Sequence, residues 1–225
     1  MYNWWGFVLT IVVYAICSKM TKYKFFSKMP KVIFAGLVLM LIIKFTSLDY
    51  QTYYESAHFI TFFLGTATIA FAIPLVKNSH VLKKNKRAVY SGIVFSVIIS
   101  ILSIFFIAQI MHLNNEIMLS MIPKSVTTPI AIEISKTLGG MSELTACFVI
   151  LTGVLGGVLG HKVLSFFKIK NDTSIGLAIG ASAHIFGTAM CHAKNKPQQV
   201  AISTLSLILV GILTAIFAPI LLSWL

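Results

Sequence analysis

The sequence predicts an all-α integral membrane protein, a polytopic helical bundle in which one or two elements are broken or re-entrant. The first observation is composition: 57% of the 225 residues are hydrophobic and only 11% are charged, whereas soluble domains carry about 25% charged residues. The second is a series of eight apolar segments, and the third is the interruption of two of them by prolines or glycines. These observations exclude a soluble enzyme, a nucleic-acid-binding module and a disordered chain.

Each apolar segment is close to the length that crosses a bilayer, about 20 residues. The segments run 2–18, 32–48, 57–76, 88–111, 117–137, 141–160, 173–193 and 200–224. The first of them has no charge and therefore lacks the positive start of a signal peptide, so we expect it to be a membrane span. Because the connecting loops are short, we treat residues 1–225 as a single membrane domain.

The distribution of positive charge predicts the orientation in the membrane. Lysine and arginine outnumber aspartate and glutamate by 18 to 6. They concentrate in the loops at 19–31, 77–87 and 161–172, whereas the loop at 111–117 contains Glu116 and no lysine or arginine. Positively charged loops stay on the cytoplasmic side of a membrane. We therefore expect a multi-pass protein with its N-terminus outside, embedded in a lipid bilayer and without a nucleic-acid partner.

The number of apolar segments conflicts with this orientation unless one of them fails to cross. The loop at 111–117 is outside and the loop at 161–172 is inside, yet two segments lie between them. Pro123 and Pro129 interrupt 117–137, and each proline removes a backbone donor and disfavours helix at the residue before it. Because non-helical backbone at membrane depth must be buried in protein or line a cavity, we predict that 117–137 is a re-entrant or discontinuous element.

Segment 173–193 is the candidate counterpart from the opposite face. It contains Gly176, Gly180 and Gly187 and is followed by Lys194 and Lys196, charges that suit the cytoplasmic side. If this segment is re-entrant, the bundle has six full spans plus two hairpins; if it crosses, there are seven spans. Two broken elements that enter from opposite faces are typical of an inverted-repeat transporter core.

Candidate binding residues concentrate between the two prolines. Thr128 before Pro129 predicts a helix start, with Thr128 as the N-cap, and the positive end of that helix dipole would face the break. Lys124 adds a full charge, while Ser125, Thr127 and Thr128 add hydroxyl donors. We predict a site for a small carboxylate anion here. The alternative is that Lys124 extends to the membrane interface and the hydroxyls satisfy freed carbonyl groups.

Other polar residues in apolar segments are weaker candidates. His184 would hydrogen-bond a carboxylate or carry a coupled proton, or else it is a core histidine bonded to a neighbouring helix. Thr188 and Thr68 are further candidate hydroxyl donors, with packing as the alternative for Thr68. Glu133 is three residues before Lys136, which would neutralise it.

Two further features bear on function. Gly153, Gly156, Gly157 and Gly160 form interleaved small-xxx-small patterns, which allow close helix contact either within the bundle or between copies of the chain in a homo-oligomer. The sequence contains no HExxH or GxSxG motif and no paired intramembrane carboxylates. We therefore predict no enzyme activity, no catalytic residues, no metal site and no cofactor.

Several motifs resemble the LrgB/CidB family of bacterial membrane proteins, over most of the chain from about Leu48 onward. The most specific is Pro-Lys-Ser-Val-Thr-Thr-Pro-Ile-Ala at 123–131. The others are Tyr-Gln-Thr-Tyr at 50–53, Ala-Thr-Ile-Ala-Phe-Ala-Ile-Pro-Leu at 67–75, Leu-Gly-Gly at 138–140, Leu-Thr-Ala at 144–146, Val-Ile-Leu-Thr-Gly at 149–153 and Gly-Thr-Ala at 187–189.

The resemblance implies a location, a partner and two alternative functions. Family members are proteins of the bacterial cytoplasmic (inner) membrane, usually encoded beside a small LrgA/CidA-type membrane protein. A plastid relative exports glycolate and glycerate, which agrees with a transporter of small monocarboxylates such as pyruvate, glycolate or lactate. The alternative is an antiholin-like regulatory protein that modulates murein hydrolases and cell lysis without transport of its own.

Overall fold

The structure is a computed structural model that describes residues 4–21, 31–46, 48–70, 73, 76 and 86–224. Within helices, the side chains at positions 32, 33, 64, 65, 67 and 68 lie outside the described part. All regular secondary structure in the described residues is helical, which confirms the all-α class. The chain divides into two compact units, residues 1–67 and 68–225.

The first unit contains α1 (Trp5–Met20), α2 (Lys31–Phe45), α3 (Tyr50–Ser56) and most of α4 (His58–Ala70). The prediction treated the region of α3 as a loop, which was wrong. Asp49 caps this helix, because its carboxylate accepts a hydrogen bond of 3.0 Å from the backbone N–H of Thr52, and aspartate is a favoured N-cap residue. Beyond Ala70, most of the predicted segment 57–76 lies outside the described residues.

The second unit contains six helices among its described residues. They are α5 (Lys86–Ile110), α6 (Asn115–Met121), α7 (Thr128–Leu138), α8 (Ser142–Phe166), α9 (Asp172–Ala193) and α10 (Pro197–Trp224). The helix α8 continues past the end predicted at residue 160, so Lys162 lies in a helix rather than in a loop. By length and apolar composition, α5, α8, α9 and α10 could each cross a membrane, whereas α1 and the apolar part of α2 are shorter.

The helices α6 and α7 form a hairpin, called hairpin 1 (residues 115–138). The chain entering hairpin 1 passes close to the residues that follow it, because the backbone N–H of Met141 donates to Ser120 Oγ, near the end of α6, at 2.7 Å. Since α7 is about 16 Å long, its start at Thr128 lies well away from this contact. The helical path is interrupted at these turns, between the two prolines that predicted the break.

The helix α9 also reverses direction and forms hairpin 2 (residues 172–193). A straight helix of this length would separate its ends by about 32 Å. Instead, Gln199 at the start of α10 donates to Asp172 Oδ1 at 2.7 Å. The turn is at His184, whose backbone is non-helical with φ 38° and ψ −128°. Consequently, Gly187 packs against the backbone carbonyl of Ile179, eight positions earlier.

The bases of the two hairpins lie at opposite ends of α8. Hairpin 1 leads directly into the start of α8, whereas hairpin 2 follows its end. The outgoing half of hairpin 2 runs antiparallel to α8, because Ile179 contacts Gly160 and Ala183 contacts Gly156. The two hairpins therefore extend into the second unit from its two ends.

Both hairpins pack against α10 along its central part. Hairpin 1 contacts it through Val126 and Ile130, which face Gly211. Hairpin 2 contacts it through Gly180, whose backbone lies against that of Ser203. The buried apolar core of the second unit extends through α5, both hairpins, α8 and α10, so each hairpin is held on several sides.

The glycine pattern on α8 is used within the bundle. Gly153 faces the rings of His184 and Phe186, and Gly157 faces Phe186 and Met190. Gly156 and Gly160 also contact hairpin 2, so all four glycines of the pattern pack against this hairpin. Of the two alternatives left by the sequence, the described contacts support close packing inside the chain.

Candidate functional site

The tip of hairpin 1 carries Lys124 to the middle of α5. The Lys124 Nζ donates to Ser100 Oγ at 3.4 Å, and Ser100 Oγ lies 3.5 Å from Ser125 Oγ. Ser100 is about 21 Å from the start of α5 and about 15 Å from its end, at 1.5 Å per residue. The ammonium group is therefore at mid-depth in the second unit, which agrees with the predicted position of a broken element.

Thr127 is the most unusual polar group of this tip. Its side chain is only 1% exposed, yet its Oγ1 has no hydrogen-bond partner among the described residues. A buried hydroxyl without a partner costs about 1–3 kcal/mol. Such a group is therefore a candidate donor to a ligand, since a bound acceptor would remove this cost.

The start of α7 differs from the prediction by one residue. The N-cap is Thr127 rather than Thr128, and Thr128 is the first helical residue. The Thr127 side chain makes no capping hydrogen bond, which leaves its hydroxyl available. The first backbone N–H groups of a helix have no intrahelical acceptor and favour an anion, so Lys124, Thr127 and the start of α7 offer positive potential to the same region.

The charge of Lys124 has no carboxylate partner. The acidic residues of the chain are all described, and none forms a salt bridge with Lys124. Glu133, on the same hairpin, pairs with Lys136 at 3.0 Å, and both side chains are exposed. This pairing follows the prediction from their spacing. Within the second unit, the mid-depth positive charge is therefore uncompensated.

His184 occupies the tip of hairpin 2 and makes a structural contact. Its ring is 2% exposed, and its Nε2–H donates to the backbone carbonyl of Val149 on α8 at 3.0 Å. A carbonyl oxygen only accepts, so this bond places the proton on Nε2. The observed contact matches the alternative in which His184 is a core histidine bonded to a neighbouring helix.

Two further predicted site residues, His184 and Thr188, bond to groups other than Lys124. Thr188 Oγ1 donates to the backbone carbonyl of His184 at 3.2 Å, one turn earlier in hairpin 2. Thr68 lies in α4, and its side chain is outside the described residues. Within residues 86–224, no recorded hydrogen bond joins the two tips. The structure thus joins Lys124 and Ser125 through Ser100, places Thr127 on the same tip, and leaves His184 and Thr188 in a separate contact.

Ser100 is the residue of this site that the sequence did not reveal. It is one of several serines in α5, and Ser96 and Ser103 instead donate to backbone carbonyls of their own helix. A serine in an apolar helix commonly forms such a local bond. Its spacing along α5 therefore gave no sign that Ser100 would face Lys124.

Comparison with known proteins agrees with the motifs quoted above and extends them toward the N-terminus. The LrgB-like family matches residues 10–224. The protein YwbG of Bacillus subtilis (strain 168), itself uncharacterized, is 37% identical over an alignment of 221 residues that covers 96% of each chain. No solved structure matches the chain.

Proposed function

The chain belongs to the LrgB-like family of membrane proteins, and from this premise we propose that it transports small monocarboxylates of the pyruvate, glycolate and lactate class across the bacterial cytoplasmic membrane. One observation carries the proposal: the tip of hairpin 1 holds an uncompensated ammonium group and an unpartnered buried hydroxyl at mid-depth. An ionisable residue inside a membrane is a functional candidate, because its burial is costly.

The substrate carboxylate occupies the tip of hairpin 1 in this proposal. Lys124 provides the opposite charge and Thr127 donates its hydroxyl to one carboxylate oxygen. Ser100, whose hydroxyl contacts that of Ser125, holds the ammonium group in place. Backbone N–H groups at the start of α7 face the same anion. Thr128 supplies a further hydroxyl beside them.

The two hairpins are re-entrant elements in this proposal, entering the membrane from opposite faces. Support comes from their bases at opposite ends of α8. The arrangement corresponds to the alternative with six full spans plus two hairpins. The end of α8 and the loops on either side of hairpin 2 carry Lys162, Lys168, Lys170, Lys194 and Lys196, which favours the cytoplasm for that end and the outside for the N-terminus.

An LrgA/CidA-type membrane protein is the proposed partner. The competing function is antiholin-like regulation of murein hydrolases and lysis without transport. These two functions make different demands on Lys124, because regulation through a partner surface needs no charge at the tip of an internal hairpin. Replacing Lys124 therefore distinguishes them.

The test is uptake of radiolabelled pyruvate, glycolate and lactate into proteoliposomes, with and without the partner. We expect saturable uptake by the wild type and a loss of about a hundredfold or more for Lys124→Met, because removing one member of a buried charge pair costs about 2–5 kcal/mol. The matched control is Lys136→Met, which removes an exposed lysine from the same hairpin and should leave uptake within about twofold.

Each outcome decides between the two functions. Uptake that persists at the original rate in Lys124→Met would show that the anion site is misassigned. Absence of uptake by folded wild-type protein with its partner present, together with lysis control that survives Lys124→Met, would favour regulation. Size-exclusion elution of each purified variant establishes that it is folded.

A further inference from the structure

A cavity of about 510 Å³ in the second unit lies at the base of hairpin 2, at the end opposite to the base of hairpin 1. The last part of hairpin 2, the loop after it and one face of α10 line this cavity. Its lining residues are His192, Asn195, Lys196, Pro197, Val200, Ala201 and Thr204. The cavity thus has a wall made by a membrane-spanning helix and a mouth made by the connecting loop.

The lining changes from basic to apolar along the cavity. Lys196 and His192 are at the mouth and are exposed, whereas Val200 and Ala201 follow one turn further along α10 and are half-buried. Thr204 lies about 12 Å from Lys196, at 1.5 Å per residue of helix. The cavity therefore resembles in shape and polarity a site for a molecule with an anionic head and an apolar tail.

Local backbone geometry fixes the basic mouth. Asn195 has a positive φ of 52°, a conformation that asparagine tolerates better than most residues. The turn is closed by the N–H of Lys196, which donates to the carbonyl of Cys191, and by the N–H of Asn195, which donates to the carbonyl of His192. The loop is therefore a defined turn that returns the chain to α10.

No acidic residue lines the cavity. Asp172, at the same end of the unit, has its carboxylate engaged by Gln199 at 2.7 Å. The Lys196 ammonium group at the mouth therefore has no carboxylate partner among the described residues. Basic pockets between membrane helices bind the head groups of anionic lipids.

We propose that this cavity binds an anionic phospholipid, with the phosphate of the head group on Lys196 and His192 and an acyl chain along Val200 and Ala201. The inference requires only that this end of the bundle meets a membrane surface. It is independent of substrate transport and of the tip of hairpin 1. Its ligand class is phosphatidylglycerol rather than a zwitterionic lipid, because the mouth has positive charge alone.

The test measures lipid binding to the purified full chain in a neutral detergent. Dioctanoyl phosphatidylglycerol is titrated against the thermal unfolding midpoint, and native mass spectrometry counts the retained lipids. We expect Lys196→Gln to weaken phosphatidylglycerol binding about fivefold, the usual contribution of one basic residue near an anionic lipid surface. The matched control Lys170→Gln removes an exposed lysine near the same end that does not line the cavity, and should bind as the wild type does.

A second variant tests the apolar wall with the charges intact. Ala201→Phe should fill the groove and reduce phosphatidylglycerol binding at least as much as Lys196→Gln does. Equal weakening by Lys170→Gln, or equal stabilisation by dioctanoyl phosphatidylcholine, would overturn the proposal in favour of unspecific lipid contact. Displacement of phosphatidylglycerol by inorganic phosphate at the same concentration would overturn it in favour of a free-anion site. Uptake assays do not enter this test, so its failure is distinct from failure of the transport proposal.

Discussion

Hairpin 1 and hairpin 2 both reverse near the middle of the second unit, yet the polar side chains at their tips differ in how far their hydrogen bonds are satisfied. At the tip of hairpin 1, Thr127 Oγ1 is buried and has no partner within the described part of the chain, where the Lys124 ammonium has a weak contact of 3.4 Å with Ser100. At the tip of hairpin 2, His184 is bonded to α8 and Thr188 is bonded to His184. Polar groups in a membrane protein interior are normally satisfied.

The hairpins also differ in how they contact α10. Hairpin 2 places backbone against backbone, at Gly180 and Ser203, whereas hairpin 1 places the side chains of Val126 and Ile130 against Gly211. Side chains can change rotamer, but two backbones in contact cannot yield without moving a helix. Hairpin 2 is therefore the more tightly seated of the two elements, and hairpin 1 is the one that we propose receives a ligand.

The largest effect should come from a side chain added where hairpin 2 meets α10. A Cβ at Gly180 would lie 2.7 Å from Ser203 Cα, whereas a Cβ at Gly211 would lie 3.3 Å from the flexible end of Ile130. We expect Gly180→Ala to lower the free energy of unfolding by about 3 kcal/mol or to prevent folding, and Gly211→Ala to change it by less than about 1 kcal/mol. Thermal unfolding and folded yield measure both. Equal losses would show that the two contacts are equally rigid.

The next largest effects should be opposite in two threonine variants, Thr127→Val and Thr188→Val. Thr127→Val removes an unpartnered hydroxyl, so we expect the free energy of unfolding to stay the same or rise by about 1 kcal/mol. The KM for the carboxylate should rise about tenfold or more, because a hydrogen bond to a charged group contributes about 1.5–3 kcal/mol. Thr188→Val should do the opposite: it loses the bond to His184 and costs about 1 kcal/mol of stability without changing KM.

Unfolding midpoints and uptake kinetics, measured on the same preparations, test whether the two variants change stability and KM in opposite ways. The hydroxyl of Thr127 is a buried structural group rather than a ligand donor if Thr127→Val destabilises the protein and leaves KM unchanged. A raised KM in Thr188→Val would place hairpin 2 in the substrate site after all.

The sequence was informative where local chemistry marks a feature. Pro123 and Pro129 predicted the interruption of hairpin 1, because proline breaks a helix wherever it stands. The end of α7 at Leu138 is within one residue of the predicted segment end at 137, and Gly139 after it has the left-handed conformation common at helix ends, with φ 88°. The helix α3 was missed although Asp49 caps it, because a run of only seven residues is too short to show an apolar period.

Glycines marked segment 173–193 as a candidate broken element, but the position of its reversal had no such mark. It occurs at His184, a residue type for which φ 38° is rare, and no proline or glycine stands at the turn itself. The surroundings impose this conformation: the ring is fixed on Val149, and Gly153 leaves the space it needs. Contacts between residues distant in the sequence therefore determine the turn, and such contacts cannot be predicted from local sequence patterns. The role of Ser100 was missed for the same reason.

The smallest expected effect concerns Ser100, which sharpens the assignment of hairpin 1 as the ligand-receiving element. Ser100 does not face the substrate directly in our proposal; it positions the Lys124 ammonium through a hydrogen bond of 3.4 Å. A neutral hydrogen bond contributes about 0.5–1.5 kcal/mol, so Ser100→Ala should raise KM about threefold and leave the maximal rate within about twofold. The unfolding midpoint should stay close to that of the wild type.

Ser96→Ala is the matched control for this positioning role. Ser96 lies one turn earlier on α5, is half-buried like Ser100, and bonds only to the carbonyl of Ile93 at 2.7 Å. Uptake by Ser96→Ala should therefore equal that of the wild type, while Ser100→Thr, which keeps a hydroxyl, should restore part of the affinity. A merely structural role for Ser100 predicts a shifted unfolding midpoint with unchanged KM, and the same loss in both alanine variants would point to α5 packing instead of the ammonium group.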